Sequence, residues 1–152
     1  MVSLSLDTSE LVHLLRSPHR TTQAVLDQAI LNGFELIVSP VVRHELVSGA
    51  LLSASPERRL AQLEELLVQF TEPDFTPDDA SASGRLRASL LKQGTPIGDI
   101  DVLIAGQALT RGWTVATRNV RHFGRVQGLS LIDWSVRAEV LSAGEIAARI
   151  SD

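Results

Sequence analysis

Residues 96–109, PIGDIDVLIAGQAL, put two carboxylates, Asp99 and Asp101, at the head of an apolar helix-forming run. Helical spacing places Ile104, Ala105 and Ala108 on the face of Asp101. Glu45, within SPVVRHELVSGA, has the same problem: its neighbours at three and four residues are Val41, Val42 and Gly49, with Leu52 a further turn on. Asp7 closes the alternating stretch VSLSLD, and Asn119 follows WTVAT by two residues. A carboxylate buried without a partner costs several kcal/mol. Two of them ~4 Å apart repel by roughly 4 kcal/mol at an effective dielectric near 20. If these side chains converge, they need either a cation or raised proton affinities.

The chemistry of that cation is narrow. The chain has no cysteine, and its four histidines, His13, His19, His44 and His122, lack ligand spacing. An all-oxygen donor set suits Mg²⁺ or Mn²⁺ rather than Zn²⁺, and such ions act on phosphates. Simpler roles exist for each residue. Asp7 suits the N-cap of a helix starting near Ser9, Asp99 the cap of the helix over 98–111, and Asn119 the cap of a short turn. Glu45 and Asp101 could instead pair with Arg43 or Arg118.

The elements that must position these residues alternate in type. Strands are expected at 2–7, 34–39, 113–117 and 129–133, with a further edge strand over 70–75. Helices are expected over 9–16, 21–32, 40–52, the segment opened by Ser55-Pro56, the segment capped by Thr76 and ending at Gln93-Gly94, and 98–111. Strands separated by helices predict an α/β protein, a three-layer α/β/α sandwich around a mainly parallel sheet of four or five strands. Working sites in such sheets lie off the carboxyl ends of the strands. That is where Asp7 and Asn119 fall.

At 152 residues the chain is the size of one domain. No apolar run reaches the ~18 residues of a membrane helix, and the first ten residues do not read as a signal peptide, so a cytoplasmic location is expected. A net charge of −4 argues against binding nucleic acid by bulk electrostatics. A local basic rim is still possible: all basic residues but Lys92 are arginines, which suit phosphate, and Arg118, Arg121 and Arg125 cluster after the WTVAT strand.

Together, LDTSELVHLLR, VSPVVRHELVSGA, PIGDIDVLIAGQAL and VATRNVRHFGRVQGLSLIDW resemble the PIN-domain ribonucleases of the VapC toxin type, in order and in separation. The resemblance runs from about Leu4 to Trp134. It implies cleavage of RNA dependent on Mg²⁺ or Mn²⁺, and a toxin whose partners are RNA and a cognate antitoxin protein. It makes Asp7, Glu45 and Asp101 the three metal-binding acids and puts Asn119 at a fourth position that the family fills with Asp or Asn. Thr8 and Thr117 match hydroxyl positions beside the metal, and Asp99 an acid often found before the third. Ser9 stands where the family commonly has Asn. Residues 1–134 would then form the nuclease domain, and 135–152 a C-terminal extension, with Val136, Val140, Ile146 and Ile150 spaced for a helix. A homodimer is expected.

Two other readings compete. A catalytically silent PIN-like module binding RNA or protein is disfavoured by intact acids at all three charged positions. A haloacid-dehalogenase-like phosphatase would need a second Asp where Ser9 stands, and a better placed lysine than Lys92.

Overall fold

The computed structural model describes residues 2–133; the proposed tail helix and Trp134 lie outside them. Four strands, β1 (Val2–Leu6), β2 (Phe34–Ile37), β3 (Thr114–Ala116) and β4 (Ser130–Ile132), form one sheet in the order β2-β1-β3-β4. Every pairing is parallel, with Leu4 opposite both Leu36 and Thr114, and Leu6 opposite Ala116. The connections carry α1 (Thr8–Arg16), α2 (His19–Leu31), α3 (Pro40–Leu51), α4 (Pro56–Leu67), α5 (Pro77–Lys92), α6 (Asp99–Arg111) and α7 (Val120–Phe123). The order places the topological switch between β1 and β3, because the chain leaves β1 toward β2 on one side and β3 toward β4 on the other.

Local sequence explains the helix boundaries. Ser39 caps α3 through the Val41 amide, with Pro40 at the first helical position, where its missing N–H costs nothing. Thr76 and Asp79 form a reciprocal capping box on α5. Asp79 is fully buried; its Oδ2 also accepts from Arg111, 3.0 Å away, so α5 is tied to the end of α6. Burial raises the proton affinity of this carboxylate, yet the bonds from Thr76 and Arg111 outweigh it and hold the carboxyl below its ordinary value. Gly112, left-handed at φ 68°, stops α6.

Residues 70–75 do not form the expected fifth strand. Thr71 makes one bridge to Ile37, bonding to Leu36 O and Val38 N, and there the pairing ends. Pro73 has no N–H to continue a ladder, and Glu72 turns its carboxylate to Arg43 at 2.7 Å. The stretch after β3 contains one helical turn, α7, anchored by the fully buried Phe123.

The two interruptions in the apolar run of α6 both have packing reasons. Gln107 is buried and donates to Asp74 O at 3.3 Å. At Gly106 the backbone of α5 leaves no room for a side chain: an added Cβ would lie 2.6 Å from Ser83 Cα. Gly106→Ala is therefore expected to force α5 and α6 apart and cost about 1–3 kcal/mol in chemical denaturation. Gly84→Ala, in α5 with nothing within 4 Å of its would-be Cβ, should instead stabilise the protein by about 0.5–1 kcal/mol.

Candidate active site

Asp7 stands at the switch point. It follows β1 with no linker and is at once the N-cap of α1, its Oδ1 accepting from the Glu10 amide at 3.0 Å and from Ser9 Oγ at 2.8 Å. Its own amide donates to Ala116 O at 3.1 Å, and its Oδ2 takes the hydroxyl of the fully buried Thr117. The capping role and the position among the acids are thus compatible. Thr117 Oγ1 in turn accepts from the Asn119 amide at 2.8 Å, which fixes the loop after β3.

Glu45, one turn into α3, is half-buried at the edge of the stripe Val42, Leu46 and Ala50. Gly49 and Leu52, expected beneath it, are exposed, so the helix is rotated outward from the expected face. Thr8 donates its hydroxyl to Glu45 Oε1, joining α1 to α3. Asp101 lies in the first turn of α6 and is also half-buried. Burial raises the proton affinity of Asp7 above that of an ordinary carboxyl, against the hydrogen bonds from Thr117, Glu10 and Ser9, and the charge of Glu45 raises it further. Asp101 is raised by burial and by the charges of Asp7 and Glu45, with His122 opposing. Asp101 therefore feels the charges of both other acids, and Asp7 that of Glu45.

No arginine or lysine among the described residues comes within ion-pair distance of these three. Arg43 serves Glu64 and Glu72, and Arg118 serves Glu10. Nor, among the described residues, do three Asp, Glu or His side chains stand close enough to cage a cation as placed. Hydroxyls hold two of the carboxylates instead. The donor chemistry nevertheless fits a hard divalent ion: carboxylate and amide oxygens in mutual repulsion, with no arginine or lysine among the described residues to neutralise them and the His122 ring, 3.8 Å from Asp101, as the basic group beside them.

Three expectations need correcting or sharpening. Asp99 is not the cap of α6, since Gly98 occupies that position and no side chain caps it. Its side chain is 85% exposed and lies 3.5 Å from Arg87, pointing to solvent rather than to the other acids. Arg118 turns its guanidinium to Glu10 at 3.5 Å, and Arg125 donates to Pro96 O at 2.6 Å; Arg121 is exposed. Ser9 keeps its polar contact, bonding Asp7 and accepting from the Arg118 amide at 3.4 Å.

Two neighbours were not anticipated. His122, lone in sequence, brings Nδ1 to 2.9 Å from Asn119 Nδ2 and 3.8 Å from Asp101 Oδ2. Its spacing of three from Asn119 was the available signal. Glu10 is 2% exposed, and its Oε1 has no hydrogen bond, the Arg118 contact being too long for one. From Thr8 and Glu45 a groove of about 280 Å³ runs between α1, α3 and α4, edged by Arg16 and Arg59.

With this geometry the chain can be placed among known proteins. It belongs to the PIN domain family, whose model matches residues 4–129. It is 36% identical over 135 residues to the tRNA(fMet)-specific endonuclease VapC of Shigella flexneri, covering 89% of this chain and 100% of that protein. To the protein of the same name from Salmonella typhimurium it is 33% identical, covering 88% and 99%. Among solved structures it resembles the DNA-bound VapBC of Salmonella typhimurium with a TM-score of 0.77 at 32% identity, over 88% of this chain and 99% of that one. VapBC2 of Rickettsia felis, bound to a DNA fragment from its promoter, gives the same TM-score at 25% identity, covering 88% and 100%. The three-layer α/β/α sandwich is the fold these proteins share. No helix among the described residues is long and apolar enough to cross a membrane.

Burial pushes the Glu10 carboxyl up to about 7, against the charge of Arg118. A folded-state value above the unfolded one means stability present at low pH and lost as pH rises through about 7. Glu10→Gln has no such loss. Its melting temperature is expected to gain on wild type by a few degrees between pH 5 and pH 8, measured by circular dichroism.

Proposed function

We propose that this chain is a divalent-metal-dependent endoribonuclease, the cytoplasmic toxin of a toxin–antitoxin pair, with Asp7, Glu45, Asp101 and Asn119 as the residues that would hold Mg²⁺ or Mn²⁺. The observation carrying this reading is that three half-buried or buried carboxylates, none of them paired with an arginine or lysine, act on one another's charge beside the β1/β3 switch point. Support comes from the relatives named as endonucleases and ribonucleases at 33–36% identity over nearly all of the chain. The neighbours solved as VapBC toxin–antitoxin complexes support an antitoxin partner.

When bound, such an ion supplies Lewis acidity and charge neutralisation at a scissile phosphodiester. The chain's own residues do the rest. Thr117 and Ser9 fix the rotamer of Asp7, and Thr8 fixes that of Glu45, so the acceptors are set before substrate arrives. Arg16 and Arg59, which line the groove leading from Glu45, and the exposed Arg121 are the side chains we assign to phosphate oxygens.

Incubation of the full chain with RNA, tRNA(fMet) first, tests the reading. Cleavage is expected with Mg²⁺ or Mn²⁺ and none with EDTA. Asp7→Asn and Asp101→Asn should each lower the rate by about a hundredfold or more. Cleavage indifferent to EDTA would remove the metal from the account; mutants as active as wild type would remove the site.

A further inference from the structure

His122 is half-exposed, yet its ring is placed against two of the four residues proposed to hold the ion. Asn119 is the N-cap residue of α7, but its side chain makes no capping bond. Its main chain is held by the bond from its amide to Thr117 Oγ1. The orientation of the carboxamide is therefore left to its neighbours, and the ring nitrogen 2.9 Å from Nδ2 is the group that decides it.

An amide has a donor end and an acceptor end of almost the same shape, and either fits the same volume. With its proton on Nε2, the imidazole presents a lone pair at Nδ1 and accepts from Asn119 Nδ2. The carbonyl oxygen then points away from the ring. Turned the other way, the NH₂ group would be free to donate to carboxylate oxygens and occupy acceptors that a cation needs. We propose that His122 is a positioning residue that sets the orientation of the Asn119 amide, keeping the NH₂ group on the imidazole and presenting Oδ1 as a ligand, so that the acidic pit offers acceptors only. This rests on the reading of the pit as a divalent-cation site. Asn119 itself creates the requirement: an Asp there would present an oxygen in either orientation.

That asymmetry supplies the test. Mn²⁺ binding to the full chain is measured by calorimetry for wild type, His122→Ala and His122→Gln, and for the same changes in an Asn119→Asp background. With Asn119 present, His122→Ala should weaken Mn²⁺ binding by about tenfold, the size usual for losing a group that orients a ligand. His122→Gln, whose carbonyl can accept from Nδ2, should stay within about twofold of wild type. With Asp at 119, His122→Ala should cost less than about twofold. An equal loss in both backgrounds, or a Gln variant as weak as the Ala variant, overturns the orienting role while leaving the metal site standing. Absence of Mn²⁺ binding by the wild-type chain overturns both.

Discussion

The site is hung on Asp7. This residue directly follows β1, begins α1 as its cap, bonds to β3 through its amide, and receives the hydroxyl of Thr117 on the oxygen not used for capping. The absence of a linker between β1 and α1 leaves the side chain little freedom, and the parallel register of Leu6 with Ala116 brings Thr117 opposite it. Change the register by one residue and the pair is lost, because successive side chains alternate faces. Strand pairing, helix capping and site geometry are here one set of contacts.

The acids then impose their own constraint. Asp7, Glu45 and Asp101 come from the β1–α1 junction, α3 and α6, and each raises or is raised by another's charge. The basic side chains nearby are occupied elsewhere: Arg43 with Glu64 and Glu72, Arg118 with Glu10. Structural ion pairs to Arg43 or Arg118, the simpler explanation for acids in such positions, are thereby excluded for Glu45 and Asp101. Carboxylates whose proton affinities are raised by one another's charge cluster at functional sites.

Much of this was legible in the sequence. Alternation over β1, Pro at the starts of α3, α4 and α5, and Gly after α6 mark the elements, because local backbone chemistry determines them. Asp101 stood out because an acid in an apolar run has few ordinary explanations. The failures are of another kind. Asp99 has the chemistry of a cap, but Gly98 precedes it and the helix begins one residue earlier than its side chain could serve. The segment 70–75 has strand-like composition, and a single proline removes the N–H that a ladder needs. Glu10 and His122 were missed because their partners are distant in sequence or of ordinary type: Glu10 meets Arg118 only once β1 and β3 pair. Glu45 stood out for the same reason as Asp101, an acid among apolar helical neighbours, and the resemblance to VapC-type PIN domains added its role as a metal-binding acid.

On the proposed reading, the three carboxylates repel one another until a cation joins them. The direct measurement is thermal unfolding of the full chain and of Asp101→Asn, each in EDTA and in Mn²⁺. The account predicts that Asp101→Asn is the more stable of the two in EDTA, having lost a repelling charge, and that Mn²⁺ raises the midpoint of wild type by several degrees while moving the mutant little. A wild-type midpoint that ignores Mn²⁺, together with a mutant less stable than wild type in EDTA, would contradict it.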